Sequence, residues 1–332
     1  MEFTRRFGQT QAANPYTLPI AQVAEWQQLS DDTWETQMAL PNLPADHLIV
    51  PSFGLVGADF RFQFQLHHCQ GENTLRGLPA NEKVDLFAPA TANSTLLSDH
   101  IDCWHSTAEV QSPRLKLRVL SDKQPQQYLF TASLRPLRIQ PTRYDIANAE
   151  LARPPALSQM TAATEIRKRI CSPTALAMAL SYLRPGMAAS AVEQFWQQLV
   201  EDCYDPVTRA YGMWPQAIFQ ANRYGVLASV ESNTDWSKLE TALQQNTPVV
   251  CSIRFAKGEL EQAPLKQTAG HLVLVYGVTG TNVLVMDPAA DNTSTVARIY
   301  QREQFQAAWL SQRGAAYFFS PASTANSVLD SH

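Results

Sequence analysis

Residues 172–183 constrain this chain more than any other stretch, because they read as a helix with no polar face. Ala175, Leu176, Ala177, Met178, Ala179 and Leu180 follow one another without a break, and a helix that is apolar all round is normally buried on every side. It should therefore be the central helix of its domain. The segments after it supply the cover. A second helix starts at Ser190, which stands three residues before Glu193 in the spacing of a capping box, and runs to about Glu201. Pro215–Tyr224 reads as a third helix ending near Gly225, and Trp236–Gln245 as a fourth. Strand-like runs follow over Pro248–Phe255, His271–Val278, Val283–Asp287, Ala297–Tyr300 and Ala315–Phe319, so this half is expected to be α+β.

The other half has a different period. Thr33–Leu40, Phe60–His67, Lys83–Phe87, Ser98–Trp104, Arg114–Leu120 and Tyr128–Leu134 are short alternating runs separated by turn residues, the signature of half-buried strands. Strands at such intervals with little helical pattern between them predict an all-β sandwich. Ile139–Tyr144 and the prolines of Arg153-Pro154-Pro155 mark the linker, giving a β-sandwich-like domain over residues 1–145 and an α+β domain over 155–322.

Composition excludes several function classes. A net charge of −4 without a basic stripe argues against nucleic-acid binding. No apolar run approaches the roughly 20 residues of a membrane span, and the start Met1–Arg6 leads into polar residues without the apolar core of a signal peptide. With a reduced thiol in view, cytoplasmic localisation is expected over secretion. Five cysteines with no C-x-x-C pair predict neither a disulfide scaffold nor a metal site, and no cofactor is expected. Cys203, in a polar loop, is expected to be exposed.

Cys171 departs from the plain reading of a buried small thiol. It immediately precedes Ser172-Pro173-Thr174, and proline favours the first turn of a helix, so the thiol stands at a helix N-terminus. Unpaired N–H groups and the helix dipole there favour a thiolate. His271 is the only internal histidine of the second half, the other being His332, so any cysteine–histidine chemistry must use it. Gly270 precedes it and a buried strand follows. Thr279–Asn282 should turn that strand into a hairpin, which returns Asp287 to within two or three residues of lying opposite His271. A carboxylate there can accept the Nδ1 proton and leave the other ring nitrogen to the thiol. Asp291 is an alternative acid, and Asp287-Pro288 alone could be a strand-ending turn. Gln159, twelve residues before the cysteine, is a candidate oxyanion donor beside the backbone N–H of Cys171. Trp214 could line a cleft or anchor a helix start.

The order Gln159, Cys171, His271, Asp287 resembles the papain-like clan of cysteine peptidases. More closely, Cys171–Met178, Gly212–Ala217, Pro248–Val250, Gly270–Gly277 and Val285–Pro288 are similar to the bacterial bacteriocin-processing, double-glycine-leader peptidases and their relatives. The resemblance implies a central helix packed on an antiparallel sheet, thiolate attack on a carbonyl, an acyl-enzyme and its hydrolysis. Ser172 stands where many relatives have glycine, which adds bulk beside the nucleophile; with Trp214 and Gly270 it is a candidate cleft residue. The early strands of the β half are similar to β domains that precede such peptidases.

The function expected is a cysteine peptidase or amide hydrolase acting on a peptide or protein, its cleft bordered by the loops at 203–214 and 256–269. An acyltransferase would need the same triad. A binding protein with a silent hydrolase half is the reading of another class, its β half taking a glycan or peptide through Trp34, Trp104, His67, His68 and His105, although aromatic residues in β domains are more often core.

Overall fold

The computed structural model describes residues 1–10, 16–88, 95–140, 146–184 and 186–320. The expected linker stretch Pro141–Tyr144 lies outside them.

Ten strands build the N-terminal region: β1 (Phe3–Gln9), β2 (Gln27–Gln28), β3 (Thr33–Ala39), β4 (His47–Leu55), β5 (Arg61–His68), β6 (Gly71–Thr74), β7 (Leu97–Asp99), β8 (Trp104–Ser106), β9 (Arg114–Leu120) and β10 (Tyr128–Pro136). They form two antiparallel sheets, ordered β1-β10-β4-β8-β7 and β2-β3-β9-β5-β6. Phe7, Phe53, Trp104 and Phe130 from the first sheet meet Met38, Phe62, Phe64 and Leu117 from the second in one core, as alternating strands require. Trp104 is therefore a core residue rather than a binding surface. Two expected strands differ. Lys83–Phe87 is irregular, and Ser98–Trp104 is broken into β7 and β8.

β4 has no alternation because both of its faces are covered, the pattern of a strand buried between layers. Its second face meets the C-terminal region. Leu48, Val50 and Leu129 join a core with Ile218, Ala221 and Val230, and Asn222 lies where a Cβ on Gly54 would be, 2.4 Å from its amide. Polar groups cross the same junction. Arg6 grips Glu231 with two bonds of 2.6 and 2.7 Å, and the Ser52 and Ser133 hydroxyls accept from the N–H groups of Val230 and Ser232 at 3.0 and 2.8 Å.

The C-terminal region is α+β. Its helices are α1 (Cys171–Leu183), α2 (Ala189–Asp202), α3 (Trp214–Arg223), α4 (Trp236–Gln244) and α5 (Arg302–Trp309). Its strands are β11 (Ala149–Glu150), β12 (Ala228–Glu231), β13 (Val249–Phe255), β14 (Thr268–Thr279), β15 (Asn282–Met286), β16 (Ala297–Gln301) and β17 (Ala316–Phe319), ordered β12-β17-β13-β14-β15-β16 with β11 on β14. α1 packs on β13 and β14, with α2 and α3 against its other sides, so every face of the apolar helix is used. The expected capping box is absent: α2 starts at Ala189 after Ala188, which puts Ser190 inside the helix, and no side chain caps it. α3 ends as expected, with Gly225 at φ +80°, and Asp235 caps α4 through Lys238 N–H at 2.8 Å.

Candidate active site

Cys171 is the first residue of α1 and is partly exposed, while Ser172 to Leu180 behind it are buried. Having proline at its third position, α1 begins without a side-chain cap, so the N–H groups of its first turn are turned toward the thiol side. His271 and the N–H groups of Ser172 and Leu272 lie close enough to the Cys171 sulfur to favour its thiolate. Leu272 and His271 sit on β14, opposite Ser252 and Ile253 of β13. The helix mouth and the central strand thus bring thiol and imidazole together.

β14 turns into β15, and the ladder pairs Leu274 with Met286. One step further, Asp287 stands two residues out of register with His271, within the range the hairpin predicts. Asp287 Oδ1 accepts from His271 Nε2 at 2.8 Å. The nitrogen is the reverse of the expected one: the carboxylate takes Nε2, which leaves Nδ1 for the thiol. Asp287 is also held by Ala289 N–H on Oδ1 at 2.9 Å and by the Tyr300 hydroxyl on Oδ2 at 2.6 Å. Asp291 is exposed and takes no part in these bonds.

The three groups set each other's charge. Burial pushes the Cys171 thiol up, but the His271 hydrogen bond and charge with the two N–H groups outweigh it, and the net pKa is lowered. Burial opposes charging of His271, 2 % exposed, yet the Asp287 charge and hydrogen bond, with Cys171, raise it to about 10. Burial also pushes Asp287 up, and the His271 charge and the Tyr300 and Ala289 donors bring it below the ordinary carboxylate value. A thiolate–imidazolium pair backed by a carboxylate is the state this arrangement favours.

Gln159 is buried beside this group. Its backbone N–H donates to Pro288 O at 2.8 Å, and its Nε2 donates to Arg167 O at 2.7 Å. The side chain is fixed between the residue after Asp287 and the segment leading to Cys171. Its Oε1 has no partner among the described residues.

Among the other candidates, Trp214 is a helix-start residue that also faces a cavity. It opens α3, its N–H donates to Asp102 Oδ2 at 3.4 Å, and it lines a cavity of about 550 Å³ between the two regions. Gly270 faces the Arg313 guanidinium, 3.9 Å from a Cβ built there. Ser172 does not line an open cleft, because it is fully buried with its hydroxyl 3.0 Å from that of Tyr317. Cys203 is also buried, at the C-terminal end of α2, because that end packs into the core. His67 is engaged by Gln65 at 2.5 Å and Glu72 at 3.6 Å, and among the described residues no cluster could hold a metal ion. Sequence reasoning missed Tyr300, which looks like any strand tyrosine, and Asp102 with Arg313, which lie on opposite sides of a junction between the regions. Among the described residues no helix is long and apolar enough to cross a membrane.

Among solved structures the chain is similar to a protein assigned as a C39-like peptidase from Bacillus anthracis, with 18% identity over 53% of this chain and 99% of that one at a TM-score of 0.41. A xylanase 10C variant from Cellvibrio japonicus in complex with xylopentaose aligns at 12% identity over 60% of this chain and 44% of that one, with a TM-score of 0.18. No curated protein matches. Residues 153–317 match the model of the Peptidase_C39 like family, and this segment, which holds Cys171, His271 and Asp287, belongs to that family.

Proposed function

We propose that the protein is a cysteine peptidase in which Cys171 is the nucleophile, His271 the general base and acid, and Asp287 the residue that orients and charges the imidazole. The reading rests on one observation: a partly exposed cysteine at the mouth of a buried helix lies beside an imidazole, close enough for each to favour the other's charged form, and one nitrogen of that imidazole is locked 2.8 Å from a buried carboxylate. The thiolate attacks the scissile carbonyl, and the C–S bond forms as the carbonyl π pair moves onto oxygen. The N–H of Cys171 and the second Nε2 proton of Gln159 hold that oxyanion. As the C–N bond breaks, the imidazolium gives its proton to the departing amine. Neutral His271 then takes a proton from water, whose oxygen attacks the thioester, and the thiolate leaves.

In the division proposed, residues 155–322 carry the chemistry and residues 1–145 form an accessory region supplying one wall of the cleft. The substrate is a peptide or protein. The test is alkylation: iodoacetamide should label Cys171 faster than exposed Cys69 at neutral pH, and Cys171→Ala should abolish hydrolysis of a peptide library. Equal labelling of the two thiols, or residual hydrolysis in the alanine variant, would overturn the assignment.

A further inference from the structure

The cavity beside the site has an unbalanced charge. Arg135, Arg254 and Arg313 line it, and Asp102 is the one acid among the lining residues. Arg135 is 3 % exposed. It donates to Ser232 O at 3.3 Å and Leu310 O at 2.7 Å, and its Nε has no partner among the described residues. The one acid whose charge favours it is Glu2, too weakly to offset burial, which lowers it to about 10. A buried cation is ordinarily paired with an anion. Arg254 spends one donor on Ala269 O at 2.8 Å, and Arg313 lies over the Trp214 ring at 5.7 Å. Asp102 accepts from the Trp214 N–H at 3.4 Å and is within reach of the Arg313 charge, so it offsets at most one of the three cations. The surroundings register the excess: burial, then the charges of His100 and Arg313, lower His105 to about 4.

This cavity approaches the chain neighbours of two reacting groups. Gly212 on its wall faces Ser172, the neighbour of Cys171, with 4.0 Å from a built Cβ to the serine Cβ, and Arg313 reaches Gly270, the neighbour of His271. Arg254 and Gln312 also line a second hollow of about 740 Å³, whose acid, Glu259, accepts from the Ala256 N–H at 2.7 Å. The two hollows, joined by Arg254 and Gln312 in their linings, offer a groove of peptide dimensions whose surplus cations lie near the residues flanking Cys171 and His271.

We propose that this groove selects peptides carrying a carboxylate close to the bond that is cut, with Arg313 and Arg254 receiving it and Arg135 behind them. The carboxylate is an Asp or Glu side chain or a chain terminus. The proposal rests on the peptidase reading above, and its test separates the two.

The full-length protein is alkylated with iodoacetate and, separately, with iodoacetamide, which differ in charge. The anionic-to-neutral rate ratio at Cys171 should exceed that at Cys69 by about tenfold, the lower end of what a cleft of one sign does to an on-rate. The imidazolium contributes to that excess, so the deciding measurement is the double variant Arg254→Gln/Arg313→Gln, in which the ratio should fall at least about threefold by loss of cleft charge. An unchanged ratio in the double variant overturns the proposal. Peptide pairs differing as Asp against Asn, and as free against amidated C-terminus, then identify the source of the carboxylate, and equal cleavage across both pairs also overturns it. Slow iodoacetamide labelling of Cys171 would sink the nucleophile assignment, while the ratio and its response to the variants would still decide whether the groove attracts anions.

Discussion

Replacing Tyr300 by Phe isolates the bond that fixes Asp287. The ring is buried and stacks with Phe305 at 6.3 Å between centroids, so the phenyl keeps its packing and opens no cavity. What is lost is one hydrogen bond of 2.6 Å to a carboxylate oxygen that is itself buried. A bond to a charged group is worth about 1.5–3 kcal/mol. Among the described residues Oδ2 then has no donor, whereas Oδ1 keeps His271 and Ala289. Urea unfolding at pH 7 should show the variant less stable by that amount with an unchanged m-value. With Asp287→Asn as background, the same change should cost only the roughly 1 kcal/mol of a neutral bond. The pH dependence has a definite sign. Asp287 is held below its ordinary pKa, with Tyr300 among the causes, so it adds stability above its unfolded value near pH 4, lost as pH falls through the folded one. The variant has less to lose, and the gap between the two proteins should narrow toward pH 3. A difference under about 0.5 kcal/mol at pH 7, or an equal loss in the Asp287→Asn background, would refute the reasoning, since an ordinary bond alone exceeds that.

Gln159→Ala should lower kcat by about 10²–10³ if its amide serves the oxyanion, while iodoacetamide labels Cys171 at the wild-type rate, since the amide is not among the groups on the thiol. Because His271 must carry a proton for the departing amine and its pKa is raised to about 10, kcat/KM should fall as pH rises through about 10; its acid limb should lie below the ordinary thiol range. The same raised pKa adds stability that is complete below about pH 6.5 and lost as pH rises through about 10, visible in urea midpoints. Arg6→Ala leaves Glu231, 0 % exposed, unpaired in the junction and should cost about 3–5 kcal/mol in denaturant titrations, whereas Arg6→Met with Glu231→Leu should cost far less.

Which features were legible follows from where their signal lies. Strands β13, β14, β15, β16 and β17 were found to within a few residues because each is an apolar run closed by turn residues. β4 was not, since a strand covered on both faces carries no alternation, and Pro51 and Gly54 within it look like breaks. Lys83–Phe87 alternates but pairs with no strand, because periodicity reports a half-buried surface without supplying a ladder partner. The meeting of Cys171, His271 and Asp287 was readable since a helix mouth and one hairpin suffice to bring them together. The choice of ring nitrogen, Tyr300 and the arginine-lined groove were not, as each depends on which layer faces which.

The remaining cysteines explain why position alone does not make Cys171 reactive. Cys103, Cys203 and Cys251 are buried, and burial pushes each of them above the ordinary thiol value, with the neighbouring Asp102 and Asp202 adding to it in the first two. Burial acts in the same direction on Cys171 and is there too the largest single influence. The sign is reversed by His271 and two backbone donors, and His271 is favoured in its protonated form first by Asp287 and then by Cys171 itself. The helix terminus therefore places the thiol and adds the Ser172 N–H, whereas the larger influence on its charge comes from His271 on β14, backed by Asp287 after β15. It follows that the Tyr300 anchor of Asp287, which never meets the thiol, acts on the nucleophile through His271, in addition to the direct effect of the Ser172 N–H on the helix where that nucleophile stands.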